Sequence, residues 1–407
     1  MTKTLKCISP IDGSVFAERP VLTFDAARAA ADRARAAQAA WAARPLSERI
    51  DLVMAGVAAV GAMNDEVVPE LARMMGRPVK FGGEFKGFNE RASHMAEIAE
   101  EALTDIKVGE DATFTRYIRR LPWGVVFVVA PWNYPYMTAI NTVAPALIAG
   151  NTVVLKHATQ TLLVGERMAR AFHEAGVPED VFQNIFVDHD TTDALLRARA
   201  FDFVNFTGSV AGGQAMERAA AGTFVPVSTE LGGKDPGYVM EDADLDAAVD
   251  TLMDGALFNS GQCCCGIERI YVHEALYDAF VEKAVAWAGS LKLGNPLDPE
   301  TTLGPMANVR FAATVRAQID AAVKAGAVAH IPVDPADDGG AYLTPQVLTG
   351  VTHDMEVMRE ESFGPVVGIM KVASDDEAVA LMNDSKYGLT ASLWTRDLDR
   401  AVALGDR

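Results

Sequence analysis

Apolar residues recur at helical spacing in several segments of the chain. The alanine-rich stretch Asp25–Ala43 favours helix, and Ser47–Asn64 carries an apolar stripe on one helical face. That stripe consists of Ile50, Val53, Val57 and Val60. A further helix is predicted from about Ala275. Its inward-facing residues are Leu276, Phe280 and Trp287.

Short β-branched runs lie between these helices and predict strands. The runs are Val125–Val129, Thr152–Leu155, Phe203–Phe206, Ile270–Val272 and Pro365–Ile369. Strands that alternate with helices imply crossover units and a mostly parallel sheet. The predicted fold class is therefore α/β, and a length of 407 residues predicts two or three domains.

Two segments interrupt this alternation and are candidate boundaries. Leu103–Leu121 is polar, β-branched and of mixed charge, which is more typical of an exposed hairpin than of a core. At Glu230–Pro236 a glycine pair and a proline interrupt the sheet pattern, where one layer could give way to the next.

Composition and charge narrow the class of protein. Half of the residues are hydrophobic and 22% are charged, which excludes a disordered chain. The formal net charge of −19 repels phosphate backbones and anionic lipid, so we expect neither nucleic acid nor a membrane surface as a partner. The most apolar stretch, Gly124–Leu155, is broken by prolines and asparagines and predicts no membrane span.

Cysteine usage and the N-terminal residues indicate a compartment. Four cysteines, three of them adjacent, cannot make a disulfide framework. Met1–Ala17 lacks the apolar run that a secretory signal needs. We therefore expect a reduced, cytoplasmic protein.

The adjacent cysteines Cys263–Cys265, between Gly261 and Gly266, are the first candidate for chemistry. A single cysteine is usually a small buried hydrophobe, but flanking glycines let a backbone approach a substrate closely. A nucleophilic thiolate there would need a lowered pKa. Zinc is the rival interpretation. Adjacent cysteines lack the two-residue spacer of a zinc knuckle, and none of the seven histidines forms a metal-ligand pair, so we expect no metal.

Three further motifs end predicted strands. Phe206–Gly213 joins a strand to a helix through a glycine turn, which either binds an anion with backbone N–H groups or is a plain turn. In Pro131–Pro135, Asn133 can donate a hydrogen bond to a developing oxyanion, although the aromatic residues could equally form a hydrophobic lid. Glu230 is either a solvated carboxylate or a general base.

Taken in order, these motifs resemble those of the NAD(P)-dependent aldehyde dehydrogenase superfamily over nearly the whole chain. The matching blocks are Pro131–Pro135, Gly150–Lys156, Glu230–Lys234, Gly261–Cys264, Glu360–Val366 and Asn383–Leu389. The resemblance implies an aldehyde dehydrogenase-like α/β fold with three parts. They are a Rossmann-type NAD(P)-binding domain in residues 1–103 and 122–231, a small oligomerisation hairpin in 104–121, and an α/β catalytic domain in 232–407.

The resemblance also implies the catalytic roles. Cys264 matches the nucleophile, with Cys263 and Cys265 as neighbours, and Asn133 with the Cys264 N–H matches the oxyanion hole. Glu230 matches the general base that activates water. The implied reaction oxidises an aldehyde to a carboxylic acid through a cysteine thiohemiacetal and thioester. Because Glu230 is present, hydrolysis is favoured over transfer to coenzyme A.

A nicotinamide cofactor, NAD or NADP, is implied as well. The implied cofactor-binding residues are Trp132, Lys156, Thr159, Gly208, Ser209, Gly213, Gly232, Glu361 and Phe363. Lys156 would meet the adenosine ribose, and Ser209 with Trp132 the pyrophosphate. Glu361 would hold the nicotinamide ribose, with Phe363 beside the nicotinamide. Thr159 stands where many NAD-preferring relatives have a glutamate, so a 2′-phosphate is not repelled and both cofactors stay open.

Besides Thr159, the chain departs from the family pattern in two further places. His157 replaces the usual proline after Lys156. The sequence stops at Arg407, where family members continue, so we expect it to lack the C-terminal segment. We expect a homo-oligomer, a dimer or tetramer, if that segment is present.

Two other functions stay open beside the oxidising enzyme. A homologue impaired in catalysis would bind the cofactor without forming acid, and an acylating relative would form a thioester with coenzyme A. In the family, the positions of Tyr134, Thr138 and Asn141 line the substrate tunnel. Their mixture of aromatic and polar groups predicts a small or mildly polar aldehyde, and the lack of an arginine among them disfavours a semialdehyde.

Overall fold

The computed structural model describes residues 3–110 and 113–407, which form two compact units. The first unit contains the described part of Met1–Cys7, together with Val15–Glu70 and Gly82–Leu231. The second contains Ile8–Ser14, Leu71–Phe81 and Gly232–Arg407. The chain thus passes from the first unit to the second inside the stretch Glu230–Pro236.

Two short segments lie in a different unit from the one that the predicted domain bounds give them. Residues 8–14 and 71–81 pack with the second unit, although the predicted cofactor domain includes them. The reason is local bonding, since the Val79 N–H donates to the Pro296 carbonyl at 2.8 Å and the Tyr342 hydroxyl donates to the Ile11 carbonyl at 3.5 Å.

Within the described residues, the first unit begins with two strands, five helices and a hairpin, and its strands and helices alternate from Val125 to Glu230. Two of its elements, β1 and α3, end in residues of the second unit. The strands are β1 Thr4–Ile8, β2 Val15–Pro20, β3 Ile106–Glu110, β4 Thr115–Ile118, β5 Val125–Ala130, β6 Thr152–His157, β7 Phe182–Asn184, β8 Phe203–Thr207 and β9 Val227–Glu230. The helices are α1 Phe24–Ala42, α2 Leu46–Ala62, α3 Asn64–Met75, α4 Phe85–Glu97, α5 Ala99–Leu103, α6 Pro135–Ile148, α7 Val164–Glu174, α8 His189–Arg197 and α9 Val210–Ala220.

A parallel sheet of order β7-β6-β5-β8-β9 forms the centre of the first unit. Every residue of β5 and β6 is buried, as expected for central parallel strands covered on both faces. The Phe127 ring of β5 stacks on Phe201 with centroids 4.2 Å apart. The strands predicted in this region and the parallel α/β sheet are confirmed.

The predicted hairpin segment forms two exposed antiparallel strands. In β3 and β4 every described residue is exposed, and Ile106 pairs with Ile118. Residues 111 and 112 of the predicted hairpin 104–121 lie outside the described residues, as do residues 1 and 2 of the predicted cofactor domain. The role of the hairpin in oligomerisation stays a prediction.

The second unit has its own sheet and its own helices. Its strands are β10 Asp235–Val239, β11 Ile267–His273, β12 Val328–Ala329, β13 Gln346–Thr349, β14 Val366–Val372 and β15 Ser392–Trp394. Its helices are α10 Leu245–Leu257, α11 Tyr277–Gly289, α12 Val309–Lys324, α13 Glu356–Arg359, α14 Asp375–Asn383 and α15 Leu398–Gly405. The sheet order is β12-β13-β14-β11-β10-β15, parallel except for the pair β12 and β13.

The predicted helices are confirmed, with ends shifted by one or two residues. In α2 the stripe residues Val53, Val57 and Val60 are buried, and in α11 Phe280 is fully buried. Among the described residues no single helix is long and apolar enough to cross a membrane. Taken together, the helices α2 and α3, which are bent by 69° relative to each other, are long and apolar enough, by length and composition only.

Candidate functional site

In the first unit, most of the predicted site residues gather at one edge of the parallel sheet. Trp132 and Asn133 follow β5, Lys156 lies near the end of β6 with Thr159 just beyond, and Glu230 ends β9. The glycine turn follows β8, with Gly208 and Ser209 before α9 and Gly213 in its first turn. Because carboxyl ends of parallel strands meet at one edge, this is the side where α/β sheets bind ligands.

His157, which departs from the family pattern, connects two of these loops. Its Nε2 lies 3.2 Å from the Pro135 carbonyl, and its Nδ1 lies 3.3 Å from the Thr161 hydroxyl. Burial lowers the pKa of His157 to about 3, so the ring is neutral at pH 7. A neutral ring that donates from Nε2 and accepts at Nδ1 satisfies both partners. His157 thereby ties the start of α6, just after Asn133, to the turn that begins with Thr159.

Lys156 is buried at the end of β6. Burial lowers its pKa to about 8, although the Asp188 carboxylate acts in the opposite direction. At pH 7 most of the ammonium is therefore still charged, in surroundings that screen it little. Thr159 is half-buried and adds no charge of its own. Lys156 can therefore attract an anionic group, and Thr159 places no carboxylate there to repel it.

The glycine turn is built to present backbone N–H groups. Ser209 is the N-cap of α9, and its Oγ accepts the Gly212 N–H at 3.2 Å. The Gly208 N–H donates to the Glu230 carbonyl at 3.0 Å, so the turn is joined to the strand end that carries Glu230. A Cβ on Gly213 would lie 2.7 Å from the Leu231 side chain, which explains the glycine there. The start of α9 thus offers the donors and the dipole that suit a phosphate.

In the second unit, Cys264 follows a strained turn. Asn259, Ser260 and Gly261 all have positive φ, at 55°, 56° and 68°. For residues other than glycine this conformation costs about 1–2 kcal/mol each. A Cβ on Gly261 would lie 2.1 Å from the Gly364 carbonyl oxygen, so only glycine fits.

Buried hydrogen bonds stabilise this turn. The Ser260 hydroxyl donates to the Gly304 carbonyl at 2.8 Å. The Gln262 side chain donates to the Asn259 carbonyl at 2.9 Å and accepts the Ala307 N–H at 2.8 Å. The glycine and glutamine of the motif therefore hold the backbone that presents Cys264.

The neighbouring thiols and burial act on the pKa of Cys264. A hydrogen bond with the Cys263 thiol lowers that pKa, but the Cys265 thiol and burial outweigh it and raise it to about 11. A nucleophilic thiolate needs a lowered pKa, so Cys264 must lose a proton before it can attack.

Glu361 and the glycine pair of the second unit form one contact. The Gly233 N–H donates to Glu361 Oε1 at 3.2 Å, and a Cβ on Gly232 would lie 2.2 Å from that oxygen. A Cβ on Gly233 would lie 2.9 Å from the Cys264 carbonyl. Burial and the nearby Glu268 carboxylate raise the pKa of Glu361 to about 7. The structure thus brings Gly232, Glu361 and the backbone of Cys264 together.

A buried carboxylate that the sequence reasoning missed organises this region. Glu268, in β11, accepts the Ser362 N–H on Oε2 and the Phe363 N–H on Oε1, both at 2.8 Å. The Lys234 ammonium donates to Glu268 at 2.5 Å and to the Ser362 hydroxyl at 3.1 Å. Phe363 has a φ of 49°, an uncommon value for an aromatic residue. Two charged residues, Glu268 and Arg269, inside a largely apolar strand were the available signal, and Lys234 in the Glu230–Lys234 motif was the complement of Glu268.

The chain is similar to known proteins in sequence and in structure. A family model described as the aldehyde dehydrogenase family matches residues 1–407. The chain is 37% identical over 339 residues to a protein of Mycobacterium tuberculosis (strain ATCC 25618 / H37Rv) named succinate-semialdehyde dehydrogenase (NADP(+)) 1, covering 83% of this chain and 73% of that protein.

Two solved structures are also similar. The first is an indole-3-acetaldehyde dehydrogenase in complex with NAD+, with a TM-score of 0.94, 31% identity, and coverage of 99% of this chain and 83% of that one. The second is an NADP-dependent glyceraldehyde-3-phosphate dehydrogenase from Bacillus halodurans C-125 in complex with NADP. Its TM-score is 0.92 and its sequence identity 32%, and the match covers 99% of this chain and 85% of that one.

The Lys234–Glu268 pair generates a stability prediction. Glu268→Gln leaves the buried Lys234 ammonium without its counter-charge, so the free energy of unfolding should fall by about 3–5 kcal/mol. Adding Lys234→Met should recover most of that loss, because the unpaired charge is gone. Urea unfolding followed by circular dichroism measures both effects.

A matched control uses an exposed pair on the same unit. Lys283 lies 2.7 Å from Asp246, and both side chains are exposed. Asp246→Asn should change the free energy of unfolding by less than about 1 kcal/mol. A Glu268→Gln effect as small as this control would contradict the role assigned to the pair.

Proposed function

This chain belongs to the aldehyde dehydrogenase family and is an NAD(P)-dependent aldehyde-oxidising enzyme, and we propose that it forms a carboxylic acid through a thioester on Cys264. The observation that carries this proposal is the strained turn under Cys264. Three successive residues with positive φ are stabilised there by buried hydrogen bonds. Strain maintained by its surroundings is common at functional sites.

The residues at the sheet edge of the first unit fit a dinucleotide. The N-terminus of α9, capped by Ser209, suits a pyrophosphate, and the buried Lys156 suits an adenosine ribose or its 2′-phosphate. In the second unit, the half-buried Glu361 carboxylate can accept a hydrogen bond from a ribose hydroxyl. The nicotinamide cofactor, when bound, supplies the hydride acceptor of the reaction.

In the first half-reaction Cys264 attacks the aldehyde. The thiol gives up its proton to solvent, its sulfur forms a bond to the carbonyl carbon, and the carbonyl π electrons move to oxygen. In this proposal the Asn133 side-chain N–H and the Cys264 backbone N–H donate to that oxyanion. Loss of hydride from carbon then restores the C=O bond and leaves a thioester on Cys264.

In the second half-reaction the thioester is hydrolysed. Glu230 takes a proton from water, whose oxygen attacks the thioester carbon, and the carbon–sulfur bond breaks. The products are a carboxylic acid and a regenerated Cys264. Glu230 is exposed in the described structure, which suits a group that must exchange its proton with solvent.

We propose that NADP is accepted as well as NAD. The support is the buried, largely cationic Lys156 together with Thr159, which adds no negative charge near a 2′-phosphate. The mycobacterial relative carries NADP(+) in its name, and the two similar structures hold NAD+ and NADP.

For the substrate we propose a small aldehyde that carries a carboxylate. The sequence disfavoured semialdehydes because Tyr134, Thr138 and Asn141 include no arginine. The structure adds one, because the Arg91 guanidinium of α4 donates to Asn141 Oδ1 at 3.1 Å. Arg91 is exposed, so its remaining N–H groups can receive a carboxylate in fork geometry. The mycobacterial relatives named for succinate semialdehyde support the same substrate class.

We further propose a homo-oligomer in the cytoplasm. The exposed apolar residues of the hairpin, including Val108, Tyr117 and Ile118, support pairing with another copy. A reducing compartment would keep the thiols of Cys263–Cys265 free.

Turnover tests the thioester proposal. The purified protein should form NADH or NADPH with succinate semialdehyde, and Cys264→Ala should lower the rate by at least about 1,000-fold because the nucleophile is lost. Cys263→Ser is the matched control and should keep turnover. Activity that survives in Cys264→Ala would contradict the assignment. A coenzyme A thioester as the product would favour the acylating relative. Cofactor binding without turnover would favour the homologue that is impaired in catalysis.

Arg91 provides a test of the substrate class. Arg91→Met should lower kcat/KM for succinate semialdehyde by about 10- to 150-fold, the usual effect of losing a hydrogen bond to a charged group. Butanal, of the same length but uncharged, should change by less than about threefold. Arg28→Met, in an exposed ion pair with Asp32, is the matched control. An equal loss for both aldehydes, or no loss for either, would contradict this role.

A further inference from the structure

The three adjacent cysteines form a compact group of sulfur atoms. The Sγ atoms of Cys263, Cys264 and Cys265 all lie within 4.8 Å of one another, and those of Cys263 and Cys265 are 3.4 Å apart. Among the described residues, no other group of three or more histidine, cysteine or acidic side chains is arranged in this way. The catalytic assignment uses only the middle sulfur.

A tight turn produces this arrangement. The Cys263 N–H donates to the Gly261 carbonyl at 3.0 Å, and the Gly266 N–H donates to the Cys263 carbonyl at 3.1 Å. The chain therefore reverses over four residues, and the side chains of Cys263 and Cys265 come together. Cys263 and Cys264 are half-buried, whereas Cys265 is exposed. An ion can reach the group from solvent through Cys265.

The distances suit a metal bound by three thiolates. With zinc–sulfur bonds of about 2.3 Å, three sulfurs in a tetrahedral site stand about 3.8 Å apart. The sulfur separations of this group, 3.4 Å for one pair and within 4.8 Å for all, therefore need to change by about 1 Å or less. A donor set of sulfur alone selects soft, thiophilic ions over magnesium or calcium. Adjacent cysteines lack the spacing of a zinc knuckle, but three adjacent thiols that a turn brings together can still bind one ion.

We propose that Cys263, Cys264 and Cys265 form an inhibitory site for a thiophilic divalent cation such as Zn²⁺. Binding forms three metal–sulfur bonds and releases three thiol protons to solvent, with water as the fourth ligand. No oxidant or reductant takes part. The metal is an inhibitor in this account and has no part in the oxidation. The inhibition, unlike the binding, rests on the proposed role of Cys264 as the nucleophile.

Binding is tested first, without any activity readout. Zn²⁺ alone is titrated into the full-length protein against a chromophoric chelator, and Cd²⁺ into a second sample while thiolate-to-cadmium absorption is recorded. We expect one ion per chain. Cys263→Ser and Cys265→Ser should each weaken the affinity by about 100-fold or more, because each removes one of three metal–sulfur bonds. Cys7→Ala is the matched control, since Cys7 is a buried residue of the first unit and donates to the Gln160 carbonyl, and it should bind as the unmodified protein does.

Inhibition is tested in the same samples. Zn²⁺ should abolish aldehyde oxidation with the same concentration dependence as binding, and a chelator should restore it. Cys263→Ser and Cys265→Ser should stay active and need about 100-fold more Zn²⁺ for the same inhibition. Affinity unchanged in both serine variants, or no binding to the unmodified protein, would overturn the metal site. Binding that needs all three cysteines but leaves turnover intact would uphold the site and overturn Cys264 as the nucleophile.

Discussion

The arrangement of the second unit depends on one buried carboxylate. Glu268 stands in β11, four positions after Cys264, and it binds both Lys234 and the backbone at Ser362 and Phe363. Removing two charges from water is costly, and that cost is offset only if both keep their partners. Glu268 therefore links three chain segments that are distant in sequence. They carry the glycine pair at Gly232, the Cys264 loop and Glu361.

In the first unit, the parallel sheet brings the candidate site residues together. Parallel strands place Asn133, Lys156, Ser209 and Glu230 at one edge because each of these residues follows or ends its own strand. Neutral His157 then connects two of the loops. The candidate site residues of the first unit thus lie at the edge of a regular parallel sheet. In the second unit, Cys264 follows a strained turn. We propose that these two features carry the chemistry of aldehyde oxidation in this chain.

The strands and the motif residues could be predicted from the sequence, because their patterns lie within short segments of the chain. β-branched runs predicted β5, β6 and β8 because central strands are apolar throughout, and the motifs located Cys264, Asn133 and Glu230. Contacts between distant segments could not be predicted in that way. The Glu268–Lys234 pair joins residues from two strand ends, and Arg91 meets Asn141 only because α4 packs on α6. The sequence shows that Cys263–Cys265 are adjacent, but it does not show that the Cys265 thiol and burial raise the pKa of Cys264, because that depends on how the turn sets the side chains.

The central claim is that Cys264 carries the acyl group during turnover. The most direct test uses Glu230→Gln, in which hydrolysis should be slow, mixed with aldehyde and oxidised cofactor and quenched within one turnover. Peptide mass spectrometry should find one acyl group on the peptide that contains Cys263–Cys265, and fragmentation should assign it to Cys264. An acyl group on Cys263 or Cys265, or a full equivalent of reduced cofactor with no acylated peptide, would contradict the account.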